Sequence, residues 1–301
     1  MHNHDTAVDS NHRFSLIAWL LTPLLIIWVA TSYLFGAIKQ PEWTKSRTDQ
    51  KQNIIIKQVP IAAKKPSPVP PYVWDGKGLV TLWFDDGWMS QYTIALPLLS
   101  SHSMKGALAV PTQLIGLDGY MSWYHVQKIQ EDGWEITAHT RTHSCDTSKM
   151  TPQFLNDELV GGKQDLTDNN FQADNFVTPC GIETKLMQEI VKKNYASLRT
   201  SEPGFNPLPV TEPYHLLVQT MRTTITLKQV KAWIQEAEKT HTWLIIMFHQ
   251  VDESKREYSV TPSLLQSILK ELETSDIHIV SPSEVLQLEI GTTATPSYGL
   301  N

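Results

Sequence analysis

Short apolar runs alternate with helix-forming segments throughout residues 79–290, and this alternation limits the fold more than any other feature. The two most apolar runs are residues 79–84 (LVTLWF) and 242–248 (TWLIIMF). Shorter predicted strands lie at residues 107–110, 134–138, 176–178, 196–199 and 277–280. Helices are predicted at residues 124–131, 151–166, 184–193, 227–239 and 263–273, and from residue 282 onward. Parallel strands need long crossover connections, so this pattern predicts an α/β fold with a parallel sheet.

Chemically reactive side chains follow three of these predicted strands. Asp85 and Asp86 end the first strand, and His139 ends another, with His143 four residues later. His249 follows the last long apolar run. Sites in barrels and open α/β sheets collect at the carboxyl ends of the strands, so we expect these side chains to lie together.

Each of these groups also has an ordinary structural explanation. An Asp-Asp-Gly sequence is often only a turn, exposed histidine pairs are common, and a histidine after an apolar strand is often a core residue. Together, however, they supply two imidazoles and a carboxylate as ligands, with a further carboxylate and a further imidazole. Three ligands leave a zinc position open for water, while the remaining two groups can take and give a proton. The combination favours metal-assisted hydrolysis.

Two motifs make the interpretation more specific. WFDDG at residues 83–87 and HTRTH at residues 139–143 resemble the polysaccharide deacetylase family, which is the NodB homology domain or carbohydrate esterase family 4. The similarity covers residues 79–288, including GYMSW at 119–123. The resemblance implies a distorted (β/α)7 barrel. It also implies a hydrolase of non-peptide carbon–nitrogen bonds that releases acetate from N-acetylglucosamine units of a polysaccharide.

The resemblance also implies a role for individual residues. Asp85 would be the catalytic base and His249 the general acid, and the backbone N–H of Cys180, within the Pro179-Cys180-Gly181 turn, would help form an oxyanion hole. The implied metal ligands are Asp86, His139 and His143, with zinc expected and cobalt, nickel or manganese also compatible with this ligand set. Four aromatic residues are predicted in loops near the strand ends, for sugar stacking or for packing: Trp88, Tyr92, Trp123 and Tyr124.

The sequence departs from the family pattern at three places. Trp83 replaces a small residue, and Cys180 replaces a tyrosine whose ring packing is therefore lost. An arginine that usually lies near the catalytic aspartate is missing, because Val177 or Thr178 occupies that region. Arg199 is a candidate to supply this charge, with a purely structural role as the alternative.

The N-terminal part of the chain is predicted to anchor it in a membrane. Residues 14–38 contain no charged residue and, as a helix, would be long enough to cross a bilayer. A cleaved signal peptide and a buried core helix are the alternatives. The predicted organisation is a tail at 1–13, a transmembrane helix at 14–38, a basic proline-containing linker at 39–75, the deacetylase domain at 76–290 and a tail at 291–301.

Charge bears on the partners and on the orientation. A net charge of −6 argues against a nucleic-acid partner, so the expected partners are an acetylated polysaccharide and the membrane. Residues 39–65 carry seven Lys and Arg against two acidic residues, and a positive-inside count would place the following domain in the cytoplasm. We nevertheless expect an extracytoplasmic catalytic domain, because the polymers that the family acts on lie outside the cytoplasmic membrane.

Two cysteines allow at most one disulfide. For Cys145 and Cys180 we expect free thiols, with a bridge as the alternative because both lie near predicted strand ends. Two other functions are also compatible with the sequence: an O-acetyl esterase on an acetylated polysaccharide, and a catalytically weak, membrane-tethered carbohydrate-binding module. Peptidoglycan, chitin-like oligomers and poly-N-acetylglucosamine are all possible substrates at this point.

Overall fold

Seven parallel strands form a closed barrel in the computed structural model, which describes residues 72–290. The described region has ten strands, of which β2 to β8 form the barrel: β1 (Val73–Trp74), β2 (Leu79–Asp85), β3 (Ala107–Val110), β4 (Glu135–Ala138), β5 (Asn175–Val177), β6 (Ser197–Pro203), β7 (Leu216–Thr220), β8 (Trp243–Phe248), β9 (His278–Ile279) and β10 (Glu289–Ile290). The barrel runs from β3 to β8 in chain order and then to β2, which pairs again with β3. The predicted seven-stranded α/β barrel is therefore confirmed.

Strand β2 contributes a large part of the apolar core that stabilises the barrel. All seven of its residues are buried, and it pairs with both β8 and β3, with Phe84 opposite Phe248. The ring of Phe84 stacks on Phe248 and also contacts Trp134, with 4.9 Å between ring centroids in each pair. Burial of such large apolar side chains is the main stabilising contribution of the core.

Helices connect the strands, mostly where the periodicity predicts them, although the helix at Leu96–Ser101 was not predicted. They are α1 (Leu96–Ser101), α2 (Trp123–Glu131), α3 (Pro152–Asn156), α4 (Gly162–Asp168), α5 (Lys185–Asn194), α6 (Leu227–Thr240), α7 (Pro262–Thr274) and α8 (Pro282–Leu286). Hydroxyl side chains cap several N-termini by accepting a backbone N–H, as in the capping boxes of Thr226 and Ser281.

The helix predicted at 151–166 is interrupted, which differs from the sequence prediction. A π-helical turn at Asp157–Gly161 separates α3 from α4. Two glycines lie at this turn, and a Cβ atom on Gly161 would come within 2.9 Å of the Arg141 guanidinium. The helix therefore approaches the loop after β4 more closely than a residue with a side chain would allow.

Two further differences concern the strands. The sequence analysis missed β7, and it predicted β6 to end at residue 199 rather than at Pro203. Between Arg199 and Pro203 the pairing of β6 with β7 changes register, and the last three residues of β6 are exposed, so the end of β6 lacks the apolar signal from which strands are recognised.

The predicted anchor at 14–38, the tails at 1–13 and 291–301, and linker residues 39–71 lie outside the described residues. No helix between residues 72 and 290 is long and apolar enough to cross a membrane. The last part of the predicted linker belongs to the folded domain, because β1 pairs with β10 and thereby joins the two ends of the described region.

Candidate active site

Three potential metal ligands converge at the carboxyl ends of β2 and β4. Oδ1 of Asp86 lies 3.4 Å from Nε2 of His139 and 3.2 Å from Nε2 of His143. Asp86 and His139 are buried, and His143 is partly exposed. One carboxylate and two imidazoles at these distances form a ligand set of the kind that binds zinc and similar ions.

The surroundings of His139 set which ring nitrogen can bind a metal. Its Nδ1 lies 2.9 Å from the backbone carbonyl of Val177. Because a carbonyl only accepts hydrogen bonds, Nδ1 carries the proton and the lone pair of Nε2 points toward Asp86. A backbone acceptor that orients a histidine in this way is typical of metal ligands.

Asp86 is held by its second oxygen. Oδ2 accepts a hydrogen bond of 2.9 Å from the indole N–H of Trp88, and the backbone of Asp86 has a φ of 79°. Oδ1 is buried and accepts no hydrogen bond within residues 72–290. Burial raises the pKa of Asp86, but contact with His139 and attraction to the three nearby histidines in their protonated form outweigh it, so the pKa lies well below its usual range. A buried, ionised oxygen without a donor fits a bound cation.

His143 completes the set under different constraints. Its backbone N–H donates to the hydroxyl of Thr140, and both residues have a positive φ, 54° and 63°. Burial and the charge of His139 lower the pKa of His143 to about 4, against the opposite effect of Asp86 and Asp85. The imidazole is therefore neutral near pH 7, which is the form that can act as a ligand.

Asp85 lies beside this set but makes different contacts. Its Oδ2 lies 2.5 Å from Nη2 of Arg199, and both side chains are almost completely buried. The other oxygen, Oδ1, has no hydrogen-bond partner in the described part of the chain. The arginine expected near this aspartate is thus supplied by β6, and one carboxylate oxygen stays available to accept a proton.

His249 ends β8 on the neighbouring side of the barrel. Its ring packs against Tyr258, with 5.0 Å between ring centroids, and its Nδ1 is buried without a hydrogen-bond partner among the residues that the structure describes. The side chain is partly exposed. An imidazole in this position can exchange a proton with a group bound at the strand ends.

A family comparison agrees with this geometry. Residues 74–196 match the family described as polysaccharide deacetylase. This part of the chain is similar to the polysaccharide deacetylase family. Among curated proteins, YxkH of Bacillus subtilis (strain 168) is 27% identical over 128 residues. Its name describes it as a polysaccharide deacetylase. That alignment covers 42% of this chain and 45% of the relative, so the chain spans less than half of the relative's length.

Solved structures of deacetylase-type domains share the fold. The Xyl-CE4 domain of a multidomain xylanase from the hindgut metagenome of Trinervitermes trinervoides is 18% identical, with a TM-score of 0.52, covering 70% of this chain and 90% of that one. A structure described as T48 deacetylase with substrate is 17% identical, with a TM-score of 0.51, covering 69% and 90%. These similarities support the parallel α/β barrel as the fold.

The barrel contains an internal link between the predicted base and the predicted acid that the sequence does not reveal. Gln91 is fully buried, and its Nε2 donates to the backbone carbonyl of Asp85 at 2.5 Å and to that of His249 at 2.9 Å. One amide group thus joins the carboxyl ends of β2 and β8. A lone glutamine in a helical segment gives no sequence signal for such a contact.

We expect Gln91→Met to lower the turnover number by roughly tenfold or more, because small displacements of reacting groups are costly. Methionine has a similar volume but donates no hydrogen bond, so both strand ends lose their common donor. Steady-state acetate release checks this, with Gln127→Met on the exposed face of α2 as control. Equal turnover in the Gln91 variant and the wild type would contradict it.

The loop between the two histidines is supported by acidic residues that the sequence analysis also missed. Glu158 is buried and accepts the backbone N–H groups of Arg141 and Thr142. Asp165 accepts Nε and Nη2 of Arg141 at 2.8 and 2.7 Å. These contacts come from the π-helical turn and α4, so the irregular helix holds the HTRTH loop in place.

The four aromatic residues predicted for sugar stacking have different surroundings, and only Trp88 lies in a loop. Trp88 stacks on Tyr120, with 4.3 Å between centroids, beside Asp86. Tyr92 lies in a π-helical segment against His125, and Trp123 lies in α2 against Phe171, both packed on the core. Tyr124 is 55% exposed on α2. The loop prediction is wrong for Tyr92, Trp123 and Tyr124, because these residues lie in helical segments; the helix predicted at 124–131 already contained Tyr124.

The cysteines correct a second prediction. Cys145 and Cys180 form a disulfide, with 5.7 Å between their Cα atoms, so the expected free thiols are not found. Cys180 lies in the turn Pro179–Gly181 with φ 55° and ψ 16°. The sequence could not decide this pairing, because it depends on how close the loops after β4 and β5 approach each other.

Proposed function

We propose that this chain is a metal-dependent N-deacetylase that releases acetate from N-acetylglucosamine units of a polysaccharide. The observation that carries the proposal is the arrangement of five side chains at one end of the barrel. Asp86, His139 and His143 face one point, while Asp85 keeps a free oxygen beside Arg199 and His249 directly follows β8. A binding module needs no such combination.

A divalent metal, with zinc as the first choice, fits the ligand set. Oδ1 of Asp86 is buried without a donor, and His139 Nε2 is left unprotonated by the Val177 contact. When bound, the metal would act as a Lewis acid on the acetyl carbonyl and would lower the pKa of a water ligand. Trp88 donates a hydrogen bond to Asp86, and the carbonyl of Val177 accepts one from His139. Hydrogen-bond partners of this kind usually orient metal ligands.

The side chains of the protein divide the remaining chemistry between them. Asp85 accepts the proton of the attacking water through Oδ1, because its Oδ2 is engaged by Arg199. The backbone N–H of Cys180 donates to the oxyanion of the tetrahedral intermediate. His249 donates a proton to the departing amine nitrogen, so acetate and a free amino sugar are the products.

Acetate release from two substrate classes tests the proposal. The full-length protein in detergent, loaded with zinc, is incubated with N-acetylglucosamine oligomers and, separately, with O-acetylated xylan oligosaccharides. We expect acetate from the first and a free amino group in its product. Acetate from the second alone would identify an O-acetyl esterase, and binding without acetate from either would identify a binding module.

We also propose that residues 14–38 anchor the chain and that the catalytic domain lies outside the cytoplasm. The uncharged length of this segment supports an anchor, and the disulfide supports an oxidising compartment, where such bridges persist. The basic residues of 39–65 point the other way, but long domains are translocated largely regardless of charge.

Fusions after Asn301 test this orientation in bacterial cells. We expect alkaline phosphatase fused there to be active and a cytosolic fluorescent reporter fused there to be dark. A matched pair of fusions that lacks residues 14–38 should reverse both results. A fluorescent full-length fusion with inactive phosphatase would place the domain in the cytoplasm and contradict the proposal.

A further inference from the structure

The disulfide joins the two loops that carry groups of the proposed mechanism. Cys145 follows the ligand candidate His143 by two residues, and Cys180 is the residue whose N–H would face the oxyanion. The bridge links positions 35 residues apart, with 5.7 Å between the Cα atoms. A covalent connection therefore spans the site from the metal side to the oxyanion side.

One sulfur atom also contacts a potential metal ligand. Sγ of Cys180 lies 3.9 Å from Nδ1 of His143, whereas Nε2 of the same ring faces Asp86 Oδ1 at 3.2 Å. Nδ1 and Nε2 lie on different edges of the ring, so the disulfide contacts His143 on the edge that does not face Asp86. The imidazole is thus placed between the disulfide and the ligand position.

Both bridged loops have backbone conformations that are unfavourable without support. Cys180 and His143 have φ values of 55° and 54°, a region that residues with a Cβ atom rarely occupy. Residues 145–149 are exposed, and Asp146 makes its hydrogen bonds with Ser148, inside the same loop. The bridge is the covalent tie between this exposed segment and the oxyanion turn.

We propose that Cys145 is a positioning residue for deacetylation: through its bond to Cys180 it holds the Cys180 N–H and the His143 ring in place, so turnover requires the oxidised pair. This inference rests on the proposed function. Both cysteines are exposed, so a reductant can reach them. A dithiol would supply two electrons and two protons, the S–S bond would break to give two thiols, and the dithiol would close to its own disulfide.

The test compares three forms of the full-length protein at saturating zinc: oxidised wild type, dithiol-reduced wild type and the C145A/C180A double variant. We expect the last two to show a turnover number lower by about 10- to 100-fold, the range for a misplaced oxyanion donor or ligand. KM should change much less, because the oxyanion contact forms only in the transition state. Reoxidation should restore the reduced wild type.

Two controls separate this effect from side effects of the treatment. The double variant treated with the dithiol shows whether the reagent removes zinc, and Thr147→Ala tests an unrelated change in the same exposed loop. The dithiol-treated double variant should keep the zinc and the turnover number of the untreated double variant. Thr147→Ala should keep those of the oxidised wild type. Assays run well below the melting temperature of every form, so that a bridge that only stabilises the fold leaves turnover unchanged.

Turnover within twofold of the oxidised wild type, in a reduced protein with two titratable thiols, would overturn the proposal. If oxidised wild type releases acetate from neither substrate class, the proposed function fails instead. The positioning effect of the disulfide can then be tested without an activity assay, by measuring zinc affinity and the hydrogen exchange of residues 140–150 and 179–184. Faster exchange in both loops of the double variant would support it, and unchanged exchange and affinity would overturn it.

Discussion

Asp86→Ala is expected to lose both bound zinc and acetate release, whereas Asp85→Asn is expected to lose acetate release and keep its zinc. Oδ1 of Asp86 faces both imidazoles, so its removal leaves only two ligands. The loss of zinc affinity should exceed the roughly 10- to 100-fold effect of removing an outer-shell partner. Asp85 instead lies against Arg199, and its free oxygen accepts a proton.

Asparagine is used at position 85 because it removes the base and keeps a partner for Arg199. Alanine would leave the buried guanidinium of Arg199 unpaired, which costs about 3–5 kcal/mol and could unfold the protein. Asparagine keeps an oxygen for Arg199 but cannot serve as the base, so turnover should fall by roughly 10²–10⁴-fold. Zinc content after dialysis and acetate release are measured for both variants. Equal loss of zinc in the two would contradict the division of roles.

His249→Ala is expected to lower turnover by roughly 10²–10⁴-fold while the protein stays folded and retains zinc. The expected loss follows from the proposed role of His249, which donates the proton to the departing amine nitrogen. The side chain is partly exposed and packs on Tyr258, so truncation removes little buried surface.

Tyr258→Phe is the matched control for His249, because it keeps the ring contact and leaves the imidazole in place. Its turnover should stay within a few-fold of the wild type. The opposite pattern for His249→Ala, a large fall in melting temperature with a modest loss of rate, would show that the imidazole serves the core and not proton transfer.

Local patterns were sufficient to predict an α/β fold with parallel strands and the end at which its reactive side chains lie, whereas the barrel was implied by the family resemblance. Strand β2 reads as a continuous apolar run that ends in Asp85 and Asp86, and β4 ends before His139. Because parallel strands share one direction, groups that follow different strands meet at the same end of the barrel. This rule holds whatever the details of packing, so the site could be located without coordinates.

Irregular segments were predicted poorly for a physical reason. The π-helical turn at Asp157–Gly161 and the register change in β6 each break the periodicity on which sequence interpretation depends. Both lie next to functional groups, since the turn carries Glu158 and β6 carries Arg199. Departures from regular geometry at such places reflect the demands of the site.

Periodicity and neighbours along the chain were sufficient to predict the class of fold, most of its elements and the side chains available for catalysis. Only the tertiary structure decided which groups support them. Arg199 contacts Asp85 across 114 positions, and Gln91 reaches His249 across 158. Cys145 pairs with Cys180 rather than remaining a thiol. Such pairings depend on distances between loops that barrel closure sets to within a few ångströms, and no local pattern encodes those distances.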